Sequence, residues 1–490
     1  MSTSTDTLPP PPWKPSAGGA ASARMRRVTT AVVLTAELMS TLDGSLLYTV
    51  LPSIQASTGA TTAQVQWIHA AYALTFALGL VTGGRLGDLH GRRRVFLAGT
   101  AVFTFASLLC GTLTEPAPLV AARLLQGAAA AAMVPQVLAV LHVTHDGTDA
   151  AARSRVFALY GTVLSLGSVI GPVLGAALTG ADLFGLGWRT VFLINVPLGL
   201  AVLLLGRRHL PESTEHGARR LDPLGVVLSA LGLLLVVWPL TAGGGHGRAE
   251  TWRVLTLLAG LLVLTGFVLQ QRVRASRGRD PLVALGLFRS RAFSGGVTTA
   301  LVFGLLSGVF FLIWTLFMQA GLGLSPGQAA VGFAAASLGE LGGAWAGALL
   351  AARFGRRAPQ GGALLAAAAL GVHAWSVVTY GTGLPWAASV VPMLVLGLGA
   401  GMVGATLAEM TLSGVAHDLA GSASGLYNTA TQLGMAVGTA LTSVLFFAHA
   451  PAGSRGAVVT DAFTGAIGYV IGAFLVMWAL MFLLPRHTRN

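Results

Sequence analysis

The chain has 490 residues, of which 54% are hydrophobic and only 10% are charged, and its mean hydropathy is +0.73. Soluble globular proteins carry about 25% charged residues, so this composition excludes a soluble protein and predicts a membrane protein. A net charge of +13 can indicate a nucleic-acid partner, but the basic residues here lie in short stretches between apolar runs, which argues against one. The single cysteine, Cys110, excludes a disulfide framework and a cysteine-based metal cluster.

The chain begins with a tail rich in proline, serine and alanine, residues 1–27, which we predict to be disordered. Apolar runs of about 18 or more residues follow, each long enough to cross a hydrocarbon core of about 30 Å as a helix. The first run has full spanning length and lacks a small-residue cleavage context, so it does not indicate a signal peptide. We predict fourteen spans, at residues 28–50, 66–87, 94–112, 117–141, 155–180, 187–206, 222–241, 252–271, 293–318, 327–351, 360–380, 385–412, 420–448 and 461–485.

The distribution of basic residues supports this set of spans. With the N-terminus in the cytoplasm, 25 of the 30 lysines and arginines fall on the cytoplasmic side, four fall outside, and Arg123 lies within a span. Positive charge accumulates in cytoplasmic loops, and a missed or invented helix would invert every later loop. We therefore expect a multi-pass protein of the cell (plasma) membrane with both termini in the cytoplasm.

Two pairs of segments recur about 264 residues apart. The sequence GRLGDLHGRRR at 84–94 matches ALLAARFGRRA at 348–358, and GSVIGPVLGAAL at 167–178 is echoed by GMAVGTAL at 434–441. Such repeats predict two six-helix bundles with a substrate site between them near the middle of the membrane. The predicted divisions are a tail at 1–27, a bundle at 28–207, two inserted helices at 208–292, a second bundle at 293–485 and a tail at 486–490.

Ionisable side chains within the predicted spans are the strongest functional candidates, because each one costs about 2.5–3.5 kcal/mol or more unless it is paired or hydrated. At about 1.5 Å per residue, Asp43 lies roughly 22 Å from the inner end of its helix and Arg123 roughly 9 Å from the outer end of its own. The two therefore share a level in a core of about 30 Å and can pair. An acid there can gain and lose a proton in each transport cycle. We predict proton coupling by Asp43, Arg123, Glu340 and Glu37.

The remaining acids differ in depth and direction. Glu340 lies roughly 20 Å from the outer end of its helix, deep in the core. Glu37 is six residues from Asp43, or about 240° around the helix, so the two cannot share a face. Glu409 falls near the inner interface, where contact with water is an equally good explanation.

Several motifs resemble those of the major facilitator superfamily, and in particular of its fourteen-helix drug:proton antiporter family. The loop after the second span, GRLGDLHGRRRV, resembles the signature loop of the superfamily at Gly84, Asp88, Gly91, Arg92 and Arg93. The fourth span resembles the family motif at Arg123, Gln126 and Gly127. The fifth span resembles the antiporter motif at Gly167, Gly171, Pro172 and Gly175. Three further segments also resemble the family, namely STLDGSLLYTVLP, WRTVFLINVPLG and RRLDPLG, with Ser45 and Tyr48 departing from the usual threonine and asparagine.

The resemblance implies roles for these motifs beside simpler structural explanations. Asp88 is expected to accept from the free N–H groups at the N-terminus of a neighbouring helix, and Arg92 and Arg93 to form ion pairs that break when the bundles rock. A basic loop that only sets topology remains an alternative for the arginines. The glycines and Pro172 of the fifth span are expected to bend that helix at the bundle interface and disfavour leak, or simply to pack it closely.

Substrate-cavity candidates are Tyr48, Gln126, Trp314 and Phe310, with lipid contact or core packing as the alternative for the aromatic run around Trp314. His373 is expected to be a packing residue. No phosphate-binding loop occurs, so nothing in the sequence indicates ATP as the energy source, and we expect no catalytic residue, metal or cofactor.

The resemblance implies an all-α polytopic fold and a secondary transporter that exports small lipophilic or cationic compounds against protons. Its expected partners are a small-molecule substrate, protons and the lipid bilayer, without nucleic acid, and the protein is expected to be a monomer. Transport of an endogenous metabolite is an alternative, and a membrane receptor or enzyme a remote one.

Overall fold

The computed structural model describes residues 20–145, 150–212, 222–241, 248–279, 281–283, 285–412, 415, 420–450, 454–484 and 486. The secondary structure of these residues is helical, without strands. The α-helices are α1 Ala20–Thr58, α2 Thr62–His90, α3 Arg92–Thr112, α4 Pro116–Thr144, α5 Ala150–Ala181, α6 Thr190–Leu193, α7 Asn195–His209, α8 Pro223–Thr241, α9 Arg248–Ser276, α10 Arg291–Leu316, α11 Pro326–Phe354, α12 Arg357–Tyr380, α13 Val390–Leu412, α14 Ala420–Thr442 and α15 Ala457–Leu480.

Every predicted span coincides with helical structure, the sixth with the short α6 and α7 together, which confirms the all-α class. Within the described residues, eleven helices are long and apolar enough to cross a membrane, and α2, α5 and α8 do not meet that criterion. The number fourteen therefore stays a prediction. Residues 20–27 of the predicted disordered tail are helical instead, because alanine and arginine are good helix formers and extend α1 beyond the apolar run.

The same arrangement of neighbours occurs twice. In the N-terminal bundle, α1–α7, helix α1 packs on α5, α2 on α4, and α3 on both α4 and α7. In the C-terminal bundle, α10–α15, helix α10 packs on α14, α11 on α13, and α12 on both α13 and α15. The internal repeat of the sequence is thus a repeat of packing.

Glycines allow the closest helix contacts in both bundles. A Cβ atom on Gly83 of α2 would lie 2.8 Å from the backbone carbonyl carbon of Ala131 on α4, and one on Gly343 of α11 would lie 2.8 Å from that of Leu398 on α13. Small residues permit such backbone contact in a membrane, where no hydrophobic force drives helices together.

The loop after the second helix of each bundle binds the end of the last helix. Gly91 and Gly355 end α2 and α11 with φ of 101° and 58°, values that favour glycine. Beyond them, Arg93 donates a side-chain hydrogen bond to the carbonyl of Arg207 at the end of α7. Arg356 donates to the carbonyls of Phe482 and Leu484 after α15, at 2.8 and 3.0 Å. Cations are favourable at helix C-termini, where carbonyls lack partners.

The two bundles meet where α2 packs on α14 and α5 packs on α11. The inserted helix α8 contacts both α2 and α14, with the rings of Trp238 and Trp67 5.6 Å apart. Its partner α9 is almost entirely exposed, as expected of a helix facing lipid.

Asp222, just before α8, anchors the inserted pair. Its carboxylate accepts hydrogen bonds from the Gly225 N–H at 3.1 Å and from the side chain of Gln271 at 2.7 Å. The Nε2 of Gln270 is 3.0 Å away, and Arg274 forms an ion pair at 3.3 Å. One buried carboxylate therefore fixes the N-terminal end of α8 to the C-terminal end of α9.

Candidate functional site

A fully buried ion pair joins α1 to α4. The Oδ2 of Asp43 lies 2.5 Å from the Nη1 of Arg123, and neither side chain reaches solvent. The structure thus brings together the two residues that helix geometry placed at one level. Burying two charges is unfavourable unless other hydrogen bonds complete the site.

Two amides complete the coordination of the Asp43 carboxylate. Its Oδ1 accepts from the Nε2 of Gln126 at 2.7 Å and from the Nδ2 of Asn195 on α7 at 3.2 Å. The Nε2 of Gln126 also donates to the hydroxyl of Ser107 on α3 at 2.8 Å. Four helices therefore contribute to a single buried polar network.

Gln126 belongs to this network, although we predicted it as a substrate contact. Its Oε1 accepts from the Nη1 of Arg123 at 2.7 Å, and the Sγ of Cys110 lies 3.6 Å away. Its side chain is fully buried, and its amide bridges the two charged residues. These contacts place it within the ion-pair network.

Arg123 is also held by groups other than Asp43. Its Nε donates to the carbonyl of Ile68 on α2 at 3.0 Å. Its guanidinium lies over the ring of Tyr72, 4.5 Å from the centroid, and 5.7 Å from the centroid of Phe192. Aromatic faces attract a desolvated guanidinium. Its Nη2 has no protein partner among the described residues. This nitrogen is therefore available to donate to another group.

The two charge states of Asp43 would affect Arg123 differently. When Asp43 is ionised, Arg123 is its counter-ion, and in a water-poor site their attraction is strong. When Asp43 is protonated, that attraction disappears while the positive charge of Arg123 remains buried. A position of the guanidinium closer to the Ile68 carbonyl, to the Tyr72 ring or to water then becomes more favourable.

The other predicted acids lie elsewhere. Glu37 is buried on the side of α1 that faces α5, where the hydroxyl of Tyr160 lies 3.5 Å from its Oε1 and its Oε2 has no protein partner among the described residues. The side chain of Glu340 on α11 is partly buried and makes no hydrogen bond or ion pair with the described residues. Glu409 is exposed. The structure brings none of them to Asp43.

Glu212, an acid that the sequence reasoning did not name, contacts the signature loop. The side chain of Asp88 lies outside the described part of the chain. The N-terminus of α3 is capped by Glu212, whose Oε1 accepts from the Arg93 N–H at 3.2 Å and whose Oε2 is 3.5 Å from Arg94. Gly91 makes room for this carboxylate, because a Cβ there would lie 2.8 Å from the Glu212 Cδ.

The other loop residues have separate positions. Gly84 lies in the last turns of α2, where an added Cβ would lie 3.8 Å from Pro135 of α4. Arg92 begins α3. Arg85 donates to the carbonyl of Pro281, in the segment that leads to α10, at 2.5 Å.

The antiporter-type motif of α5 packs on α1, the helix that carries Asp43. Each of its three glycines faces a hydroxyl residue of α1. The pairs are Gly167 with Thr41, Gly171 with Ser45, and Gly175 with Thr49. In each pair, a Cβ added to the glycine would lie 2.7–2.8 Å from a side-chain atom of its partner. Ser45 donates to the Gly167 carbonyl at 2.9 Å and Thr49 to the Pro172 carbonyl at 3.2 Å. Here Ser45, the departure from the usual threonine, is the contact partner of Gly171.

The aromatic candidates divide between a core and a bundle interface. Trp314 is fully buried inside the C-terminal bundle, 5.1 Å from the ring of His373 and 6.0 Å from that of Phe310. This placement favours packing over substrate contact for Trp314. Tyr48 instead meets Phe311 of the other bundle at 5.0 Å.

Several members of the network escaped prediction from sequence. Asn195 and Ser107 are single polar residues inside apolar runs, a signal that was available but shared with many packing residues. The contact of the Ile68 carbonyl involves a backbone atom, so the residue type gives no indication of it. In the part of the chain that the structure describes, no group of three or more His, Cys, Asp or Glu residues is placed to hold a metal.

Comparison with known proteins gives a consistent result. The sequence pattern of the Major Facilitator Superfamily matches residues 33–439. A probable actinorhodin transporter of Streptomyces coelicolor is 38% identical over 85% of this chain and 72% of its own length. A cephamycin export protein of Amycolatopsis lactamdurans is 37% identical over 84% of both chains. A crystal structure of an autoinhibited POT-family peptide transporter shares the fold at 16% identity, with a TM-score of 0.66 over 92% of this chain and 96% of that one.

Proposed function

This chain belongs to the Major Facilitator Superfamily and is a multi-pass transporter of the cell membrane, and we propose that it uses the inward movement of protons to export small lipophilic or cationic compounds. The two antibiotic-named relatives, one a transporter and one an export protein, support the direction of transport. The observation that carries the proton coupling is the buried Asp43–Arg123 pair.

The cycle follows from the charge state of that pair. A proton that arrives from outside neutralises Asp43 and leaves Arg123 without its counter-ion. Gln126 and Asn195 keep their contacts with a neutral carboxyl group, because an amide can donate to either form. The unpaired charge of Arg123 favours the conformation that opens to the cytoplasm. Loss of the proton to the cytoplasm restores the ion pair.

The available energy is sufficient for export. One pH unit across the membrane corresponds to about 1.4 kcal/mol per proton, or a tenfold concentration ratio. A voltage of 100 mV adds about 2.3 kcal/mol for each charge that crosses. A small or lipophilic cation suits such a mechanism, because it can occupy the region between the bundles while Asp43 is ionised and leave when it is protonated.

The proposal can be tested with the purified full chain in liposomes. A pH gradient of known direction is imposed, and movement of ethidium, a lipophilic cation, and of chloramphenicol, a neutral aromatic compound, is followed with and without a protonophore. We expect accumulation of at least one compound that the protonophore abolishes, together with proton counter-movement. Movement that ignores the gradient would contradict proton coupling.

A further inference from the structure

The N- and C-terminal bundles also touch at the ends that the charge distribution places outside. The ring of Tyr48 on α1 lies 4.4 Å from that of His69 on α2 and 5.0 Å from that of Phe311 on α10. Nearby, the side chain of Gln319 donates to the Thr49 carbonyl across the same boundary at 3.1 Å. These contacts close the outer side in this conformation.

The polar atoms of this contact have no protein partner. The hydroxyl of Tyr48 and both ring nitrogens of His69 are buried and unpaired in the described part of the chain. A buried polar group without a hydrogen bond destabilises the state that buries it. Separation of the bundles lets water reach all three atoms, so these atoms favour an open outer side.

His69 also lies beside the proposed coupling site. It follows Ile68, whose carbonyl accepts from Arg123, and one turn further along α2 lies Tyr72, under the guanidinium. Tyr48 is five residues from Asp43 on α1, about 7.5 Å toward the outer end. The imidazole therefore lies between Tyr48 and the residues that hold Arg123.

The described ionisable groups around His69 include no free anion. Helix α1 contributes Tyr48 and Asp43, and α4 contributes Arg123, which binds the neighbouring Ile68 carbonyl. Among the other helices packed on α2, α8 carries no ionisable side chain, α14 carries only Tyr427 near its opposite end, and α3 offers Cys110 at this depth. Since Asp43 is already paired with Arg123, no free anion from these described helices faces the ring.

We propose that Tyr48, His69 and Phe311 form the outer gate, and that His69 binds a proton from the external solution whenever this gate opens. The proton comes from external water and converts the imidazole to an imidazolium. It must leave before the ring is buried again beside Arg123. External acid therefore holds the gate open, which gives protons time to reach Asp43. This inference rests on the proposed direction of proton flow.

The gate is tested by labelling rates that require neither substrate nor transport. Leu51, one turn outward of Tyr48 and fully buried, is replaced by cysteine in the full chain with Cys110→Ala. Intact cells are exposed to a membrane-impermeant maleimide between pH 7.5 and 5.5. A second reporter, Phe184→Cys, lies in an exposed turn and corrects for the effect of pH on thiol reactivity.

The variant Tyr48→Phe keeps the ring and removes the unpaired hydroxyl. We expect the corrected labelling of Leu51→Cys to slow by about fivefold, because the closed gate loses one unfavourable group. The matched control is Tyr469→Phe, an exposed tyrosine of α15, which should leave the rate unchanged. Equal rates in the two variants would overturn the gate assignment.

The proton site is tested with His69→Gln. A second variant, His69→Phe, keeps an aromatic ring at this position but has no nitrogen that can bind a proton. The parent should label faster as the external pH falls, and both variants should lose this increase. An increase that survives in both would overturn the role of His69. Repeating the series with Asp43→Asn separates the two sites, since the gate response should persist there even when proton-driven export is lost.

Discussion

Asp43 and Arg123 lie 80 residues apart in the chain, yet their Oδ2 and Nη1 atoms are 2.5 Å apart in a site that excludes solvent. Each residue is the other's only charged partner in the described network. Removing one partner of a buried pair typically costs about 3–5 kcal/mol, because the remaining charge is left uncompensated. A proton on Asp43 has the same electrostatic effect as removing its charge.

Replacing Asp43 by asparagine should abolish proton-driven export. The amide retains the shape of the carboxylate, but it does not ionise near neutral pH, so the site stays in its neutral form. We expect transport in liposomes with a pH gradient to fall to the level of empty vesicles, while expression and membrane insertion remain unchanged.

The matched control for this variant is Asp461→Asn, because Asp461 of α15 is exposed. It should transport at the parental rate. Normal proton-driven export by Asp43→Asn would place the coupling site elsewhere, with Glu340 as the next residue to replace.

Replacing Arg123 by lysine tests the geometry of the pair separately from its charge. A lysine can still neutralise Asp43, but it cannot also donate to the Ile68 carbonyl or lie flat over Tyr72. Loss of one hydrogen bond from a charged group corresponds to about 1.5–3 kcal/mol, so we expect export to fall by about tenfold or more. The exposed Arg94 supplies the control, because Arg94→Lys should be nearly neutral in this assay; equal rates for the two lysine variants would show that charge alone matters.

The sequence was sufficient to predict the fold class and the level of the ion pair, because both follow from rise per residue and apolar length. It did not determine how each helix is rotated about its axis. The contacts of Asn195, Ser107 and the Ile68 carbonyl with this site depend on that rotation and on the packing of five helices. The sequence alone therefore did not single out these contacts.

Residue type was also a poor guide where packing decides the role. Gln126 and Trp314 looked like cavity residues, because polar and aromatic side chains in a transporter often line cavities. In the structure, the amide of Gln126 bridges the two charges of the buried ion pair. Trp314 packs against His373 in the core of the C-terminal bundle. Glu212 lies far from the signature loop in sequence, so only the folded chain shows that it caps α3.

Close packing of α5 on α1 should be sensitive to a single methyl group. A Cβ on Gly171 would lie 2.7 Å from the Cβ of Ser45, and such overpacking costs about 1–3 kcal/mol. We expect Gly171→Ala to lower the thermal stability of the purified protein and to increase proton leak in liposomes, because α1 carries Asp43.

Two further variants make this prediction specific. Gly180→Ala, at the end of the same helix, meets no atom within 4 Å and should be close to parental. Adding Ser45→Gly to Gly171→Ala should restore part of the stability. An unstable Gly180→Ala, or a double variant worse than Gly171→Ala, would contradict the steric explanation.

The anchor of the inserted helices predicts a pH dependence of stability. Burial by itself would raise the pKa of Asp222, but hydrogen bonds from the Gly225 N–H and from two glutamine side chains, together with Arg274, outweigh it and lower the pKa below its usual range. A lowered pKa in the folded state means that the carboxylate stabilises the fold at any pH above its unfolded value of about 3.9. That stabilisation is lost as the pH falls through the folded value.

Asp222→Asn should therefore lower the melting temperature of the purified protein by about 2–5 °C at pH 7. The difference from the parent should stay constant down to about pH 5 and close as the pH falls below about 4, where the parent loses the same charge. Melting curves across this range provide the measurement, with Asp461→Asn as the exposed control. A difference that persists unchanged at the lowest pH would mean that the shape of the side chain, rather than its charge, fixes α8 to α9.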